Sequence, residues 1–142
     1  MVFVNPIYQS CWGVMDADIK ANCKIKFEQG NYADSVETAF KLIEQKIRKV
    51  LRDKGIDTSQ YTSPVNLIHF AFSANGNPPI RLASQTDDSY ASTQKGYMEL
   101  YAGAFSAIRN PKSHQVIIIE KDKALNFLFV ANLLIKKIDE RI

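Results

Sequence analysis

Two side chains in this sequence combine in a way that suits acid–base work on a charged substrate: Arg109 and His114, separated by Asn110-Pro111-Lys112-Ser113. Arginine offers a permanently charged planar fork that can hold a phosphoryl group and stabilise negative charge added in a transition state. Histidine, with an unperturbed pKa of about 6.5, gives or takes a proton near neutral pH. An RNA strand brings its own nucleophile, the 2'-hydroxyl, so cleaving it asks of a protein only a base, an acid and charge stabilisation. No cluster of acidic residues and histidines has metal-ligand spacing, and Cys11 and Cys23 form no CxxC pair. Neither a metal nor another cofactor is therefore expected.

The local backbone explains how the pair would meet. Pro111 lacks an N–H and crowds the carbonyl four residues back, and it pushes Asn110 away from helical angles. A helix arriving at Arg109 must end there. Asn110 then fits the N-cap of a new turn with Pro111 at its first position, so that Arg109 and His114 face one space beside free N–H groups that favour an anion. On the incoming helix, Ala102, Phe105 and Ser106 give the face before Arg109 a mostly small or apolar character. A second helix could approach it, and a two-fold homodimer would place two Arg–His pairs in one cleft. The structural alternative is that Arg109 satisfies helix-end carbonyls while His114 caps or packs in the turn.

The elements that position this segment are read from apolar spacing. Residues 1–13, with Pro6 and Trp12, read as an irregular N-terminal segment, and 14–142 as one helical domain. Val14, Ile19, Cys23 and Phe27 predict a helix over 14–29, broken by Gly30-Asn31. From Tyr32 to Lys54, Val36, Ala39, Phe40, Ile43, Ile47, Val50 and Leu51 recur at three and four, the strongest helical pattern in the chain, closed by Gly55. Ser63-Pro64 opens a short apolar helix through Phe72. Residues 73–92 read as a long loop with a brief extended piece at Ile80–Ala83. Tyr97, Leu100, Tyr101, Ala104, Phe105 and Ile108 predict a helix from about Thr93, and a last one runs from about Asp122 to Glu140; the β-branched run 116–119 between them reads as extended. The expectation is an all-α bundle of about five helices with one long irregular loop.

Composition sets the outer bounds. A chain of 142 residues with 46% apolar content can build one core, and a net charge of +3 permits contact with phosphate without demanding it. The N-terminus lacks a basic, apolar leader and no later stretch is long and uncharged enough to cross a bilayer, so a cytoplasmic protein with reduced thiols and no membrane partner is expected. His69, on the apolar third helix, reads as a core histidine. Tyr97 and Tyr101 read as packing residues. The basic run Lys46, Arg48, Lys49, Arg52 and Lys54 reads first as a solvated helix face; if it steers RNA, Lys46 and Lys49 are the contacts, together with Lys112.

Arg109, a polar residue, and His114 resemble the R-X4-6-H motif of the HEPN superfamily of helical bundles. Gly30 to Phe40 resembles the G-x-Y-x-x-A/S-V-x-x-A-F block of the Ymh-like family of bacterial and phage proteins, and Gly103 to His114 resembles its G-A-F-x-x-I-R-N-P-x-x-H block. The resemblance covers most of the chain beyond the first dozen residues. It implies a HEPN-like bundle and a metal-independent endoribonuclease, often dimeric, of the kind used in toxin–antitoxin and phage-defence systems. Arg109 and His114 match the motif positions and Asn110 the polar position after the arginine; Glu37 is the candidate for a further polar site residue. An antitoxin or sensor protein is the implied partner beside RNA. HEPN toxins paired with a nucleotidyltransferase antitoxin carry a tyrosine two positions after the histidine, where this chain has Val116. The same superfamily also contains non-catalytic modules that dimerise and bind RNA or a partner.

Overall fold

A computed structural model describes residues 6–109 and 118–142. Among the described residues six α-helices succeed one another: α1 (Pro6–Cys11), α2 (Ala17–Glu28), α3 (Tyr32–Asp53), α4 (Pro64–Phe72), α5 (Tyr90–Ala104) and α6 (Lys121–Asp139). A 3-10 turn, Trp12–Val14, joins α1 to α2, and α5 continues as a π-helical turn over Phe105–Arg109. No β-strand occurs among the described residues.

The amphipathic α3 lies at the centre because its apolar positions form one broad continuous stripe: Val36, Ala39, Phe40, Ile43, Ile47, Val50 and Leu51 are all buried. It packs mainly against α2 and α6 and also meets α4 and the π turn. α4 pairs mainly with α5. Close approach of α2 to α3 is secured by Ser35, whose buried hydroxyl donates to the Cys23 carbonyl at 3.0 Å. Between these helices Gly30, at φ 85°, takes the left-handed position, and the Asn31 N–H returns to the Lys26 carbonyl at 2.8 Å. Gly55 closes α3 in the same way, at φ 79°, with the Ile56 N–H bonded to the Leu51 carbonyl. These are Schellman-type ends, which satisfy last-turn carbonyls that a helix leaves open.

The N-terminal segment departs from the irregular opening expected of it. Pro6 starts a helix, where its missing N–H is harmless, and Trp12 is buried edge-on to Phe27 at 5.6 Å between ring centroids. α2 starts later than expected because Asp16 caps it, accepting from the N–H groups of Asp18 and Ile19 at 2.9 and 3.4 Å. Val14 consequently lies outside the helix and is exposed. Its carbonyl accepts from Asn132 and Lys136 of α6 at 3.2 and 2.8 Å, while Asn132 Oδ1 accepts the Asp16 N–H at 2.7 Å. The tyrosine Tyr8 ties α1 to the first turn of α6 through a hydrogen bond to Asp122, which raises the Tyr8 phenol pKa.

The long connection between α4 and α5 is held rather than loose. Ile80 and Leu82 are buried, and no strand forms at 80–83 because the backbone partners there come from other elements. The Ile80 N–H bonds to the Ala71 carbonyl at 2.9 Å. Gln94, fully buried on α5, donates to the carbonyls of Phe72 and Ile80 at 2.9 Å each and accepts the Leu82 N–H at 2.8 Å. Of the run 116–119, Ile118 and Ile119 are described and form no strand. Tyr101 packs as expected, stacked on Phe72 at 4.7 Å with its hydroxyl donating to the Leu134 carbonyl. Leu100, expected beside it, is exposed, and His69 lies on the exposed side of α4, not in the core.

Two outcomes follow from this packing. Gln94→Ala strands two carbonyls and one N–H in the core and should destabilise the chain by about 3 kcal/mol, read as a lower urea midpoint. Burial pushes the Cys23 thiol up to about 12 from its ordinary 9.0. The folded state therefore keeps it protonated where the unfolded chain ionises, so its contribution is intact below pH 9 and is lost as pH rises towards 12. Iodoacetamide at pH 8 should label the part-exposed Cys11 and reach Cys23 only after denaturation.

Candidate functional site

Arg109 ends the π turn, the last described residue before Asn110. In an α-helix, residues four apart are offset by about 40° around the axis. The wider π turn reduces that offset, so Phe105 and Arg109 both reach α3. They meet two residues also four apart: Phe105 packs edge-on against Phe40, 5.2 Å between centroids, and Arg109 Nη2 lies 3.9 Å from Glu44 Oε1. An apolar rung and a charged rung thus fasten this turn to the central helix.

Glu44 serves a second cation. Its Oε2 accepts from Arg48 Nε at 3.1 Å, an i,i+4 pair in the favourable order with the acid nearer the N-terminus. Arg48 extends past it to donate to the backbone carbonyls of Thr58 and Tyr61 at 3.1 and 2.6 Å, clasping the connection between α3 and α4. Tyr61 is further fixed by stacking on Phe70, 4.5 Å between centroids. The side chains of Glu44, Arg48 and Arg109 are each 19% exposed. At that burial, solvent screens the charges less than at the open surface, and loss of one member leaves the others under-compensated.

The remaining expected site residues are distributed as follows. Glu37 sits on the same face of α3 as Glu44, seven residues earlier and about 10 Å along the axis, where its Oε1 pairs with Lys41 at 3.5 Å. Lys46 and Lys49 lie on the other side of α3, by an offset of about 200° and 140° from Glu44. Lys46 bonds Asp139 of α6 at 2.6 Å. Lys49 bonds Asp53 at 2.8 Å and holds that carboxyl below its ordinary range. Both border a groove of about 250 Å³ with Asp18 and Ile135. The structure therefore does not bring these two lysines to Arg109. Asn110, Lys112 and His114 lie outside the described residues. Among the described residues, no group of three or more His, Cys, Asp or Glu side chains is placed to hold a metal ion.

Glu44 is the site residue that sequence reasoning missed. Its signal was present: it is an acid four residues before Arg48, bordered by buried Ile43 and Ile47. Helical spacing alone set it on the solvated face with the other charges.

The model of the family described as "Protein of unknown function (Hypoth_ymh)" matches residues 14–138. This chain belongs to the Hypoth_ymh family. The match spans α2 to α6, so Arg109 and its Glu44 contact are both within the Hypoth_ymh region, whereas α1 precedes it. No curated protein and no solved structure matches the chain.

The clasp makes a direct prediction. Arg48→Ala removes two carbonyl bonds and half of the Glu44 compensation, and should lower stability by about 2–3 kcal/mol. Limited proteolysis should show faster cutting within residues 54–63, where those carbonyls lie.

Proposed function

We propose that this Hypoth_ymh protein is a HEPN-type, metal-independent endoribonuclease acting in a toxin–antitoxin or phage-defence setting. The observation that carries the reading is the placement of Arg109: a guanidinium paired with Glu44 of α3 at the end of a π turn, immediately ahead in sequence of Asn110-Pro111 and His114. π turns occur frequently at functional sites.

The chemistry assigned to the residues is in-line transfer at phosphorus. His114 accepts the proton of the 2'-hydroxyl as its oxygen bonds to phosphorus, and Arg109 stabilises the charge that accumulates on the phosphoryl oxygens. The bond to the 5'-oxygen breaks, that oxygen takes up a proton, and the products are a 2',3'-cyclic phosphate and a 5'-hydroxyl end. Asn110 orients the pair, and Lys112 contributes charge toward the strand. A two-fold homodimer divides the base and acid roles between two His114 side chains. Of the face expected to meet the second copy, Ser106 is exposed and Ala102 part-buried, whereas Phe105 is fully buried and not available to it.

One observation favours the second reading, a non-catalytic module that dimerises and binds RNA or a partner. Leu100 and Leu133 are exposed, 43% and 53%, and together with Thr93, Gly96 and Tyr97 they line an apolar groove of about 310 Å³.

The test is incubation of labelled RNA with wild type, His114→Ala and Arg109→Ala in EDTA, with analysis of fragment ends. Each substitution should slow cleavage by at least a hundredfold with the chain still folded, Arg109→Ala melting somewhat lower because Glu44 keeps one cation instead of two, and wild-type fragments should end in cyclic phosphate. Folded protein inert toward several RNAs would replace the nuclease by the binding module. Sedimentation at micromolar concentration decides the dimer.

A further inference from the structure

Arg109 and the α3–α4 connection share one carboxylate, and this links them mechanically. Glu44 Oε2 is engaged by Arg48 Nε at hydrogen-bonding distance, whereas Oε1 faces Arg109 Nη2 at 3.9 Å, an ion pair longer than a hydrogen bond. Arg48 in turn is fixed by two backbone carbonyls, of Thr58 and Tyr61. The carboxylate is thus immobilised from one side and presents its other oxygen to Arg109. A flexible arginine side chain loses rotamer freedom when it is fixed, and a pre-set carboxylate removes part of that freedom before any anion arrives.

We propose that Glu44 is the positioning residue of this site: it orients the Arg109 guanidinium for a phosphate of RNA, with Arg48 and the Thr58–Tyr61 connection as its own support. The inference rests on the nuclease reading for its substrate, but its geometric part concerns Arg109 alone. Glu44 touches no reacting atom. Its effect passes through Arg109, so loss of Glu44 should matter only while Arg109 is present.

The experiment has two arms on the full chain. In the first, cleavage of an RNA oligonucleotide is compared for wild type, Glu44→Gln, Glu44→Asp, Arg109→Ala and the Glu44→Gln/Arg109→Ala double variant. Glu44→Gln should lower kcat on the order of a hundredfold, as expected for misplacement of a charge-stabilising group. Glu44→Asp should recover part of the loss, and the double variant should be no slower than Arg109→Ala. Additive losses would overturn the proposal. In the second arm, the Arg109 Nε–H resonance is followed by NMR in wild type, Glu44→Gln and Glu44→Asp without RNA. A distinct signal that collapses to the exposed-arginine position in Glu44→Gln and returns only part of the way toward its wild-type position in Glu44→Asp is the expected result; a signal unchanged in both overturns it. Should Glu44→Gln fail to fold, Glu44→Asp serves in both arms, with a shifted Arg109 signal expected and an unshifted one overturning. If wild type cleaves no RNA while the signal responds as expected, the nuclease reading falls and the orienting role of Glu44 stands.

Discussion

A carboxylate on the inward side of a central helix has to be compensated where it stands, and Glu44 imposes that condition on everything around it. Its neighbours Ile43 and Ile47 are completely buried, so the acid is flanked by core. Two arginines from different parts of the chain converge on it, one from its own helix and one from the end of α5. Removing a charged partner from such a half-covered group is costly because the group left behind keeps its desolvation. The requirement therefore fixes the end of α5 and the α3–α4 connection relative to α3, in addition to the hydrophobic contacts that bring them near.

The same economy recurs in the other connections. Gln94 ties the α4–α5 loop, Asn132 ties the joint before α2, and Arg48 ties the joint before α4, each through backbone groups of the segment it holds. Buried backbone groups in irregular segments have no helical partners and need side chains instead. Ordering each loop through one donor-rich side chain leaves its remaining sequence open to change, since the bonds go to main-chain atoms.

The sequence made the regular elements legible wherever periodicity was strong. The bounds of α3, α4 and α6 were readable to within a residue or two, because Val36 to Leu51, Ser63-Pro64 and Ala124 to Ile138 each carry an unambiguous pattern. α1 was not legible, since a six-residue helix offers less than two turns of pattern and its partner contacts lie on α6. His69 and Leu100 were misplaced for a related reason: an apolar helix does not say which of its sides is covered. Of the candidate site, Arg109 was legible as a helix-end residue ahead of Pro111, but the π turn that aims it and the Glu44 that meets it depend on tertiary packing. Lys46 and Lys49 read as free cations in one dimension, and their acidic partners appear once α6 and the end of α3 are in place.

The Gln94 amide also bears on how this protein ages. Its nitrogen donates to two carbonyls while its oxygen accepts one N–H, so the side chain is ordered by which atom is which. Hydrolytic loss of ammonia would put an anionic oxygen where that nitrogen stands, facing the carbonyls of Phe72 and Ile80. A one-atom chemical lesion, with almost no change in size, would turn the tie between the α4–α5 loop and α5 into a repulsion. Complete burial of Gln94 keeps water from that amide in the folded chain, so the lesion is open only to chains that have unfolded, and it would hinder their return.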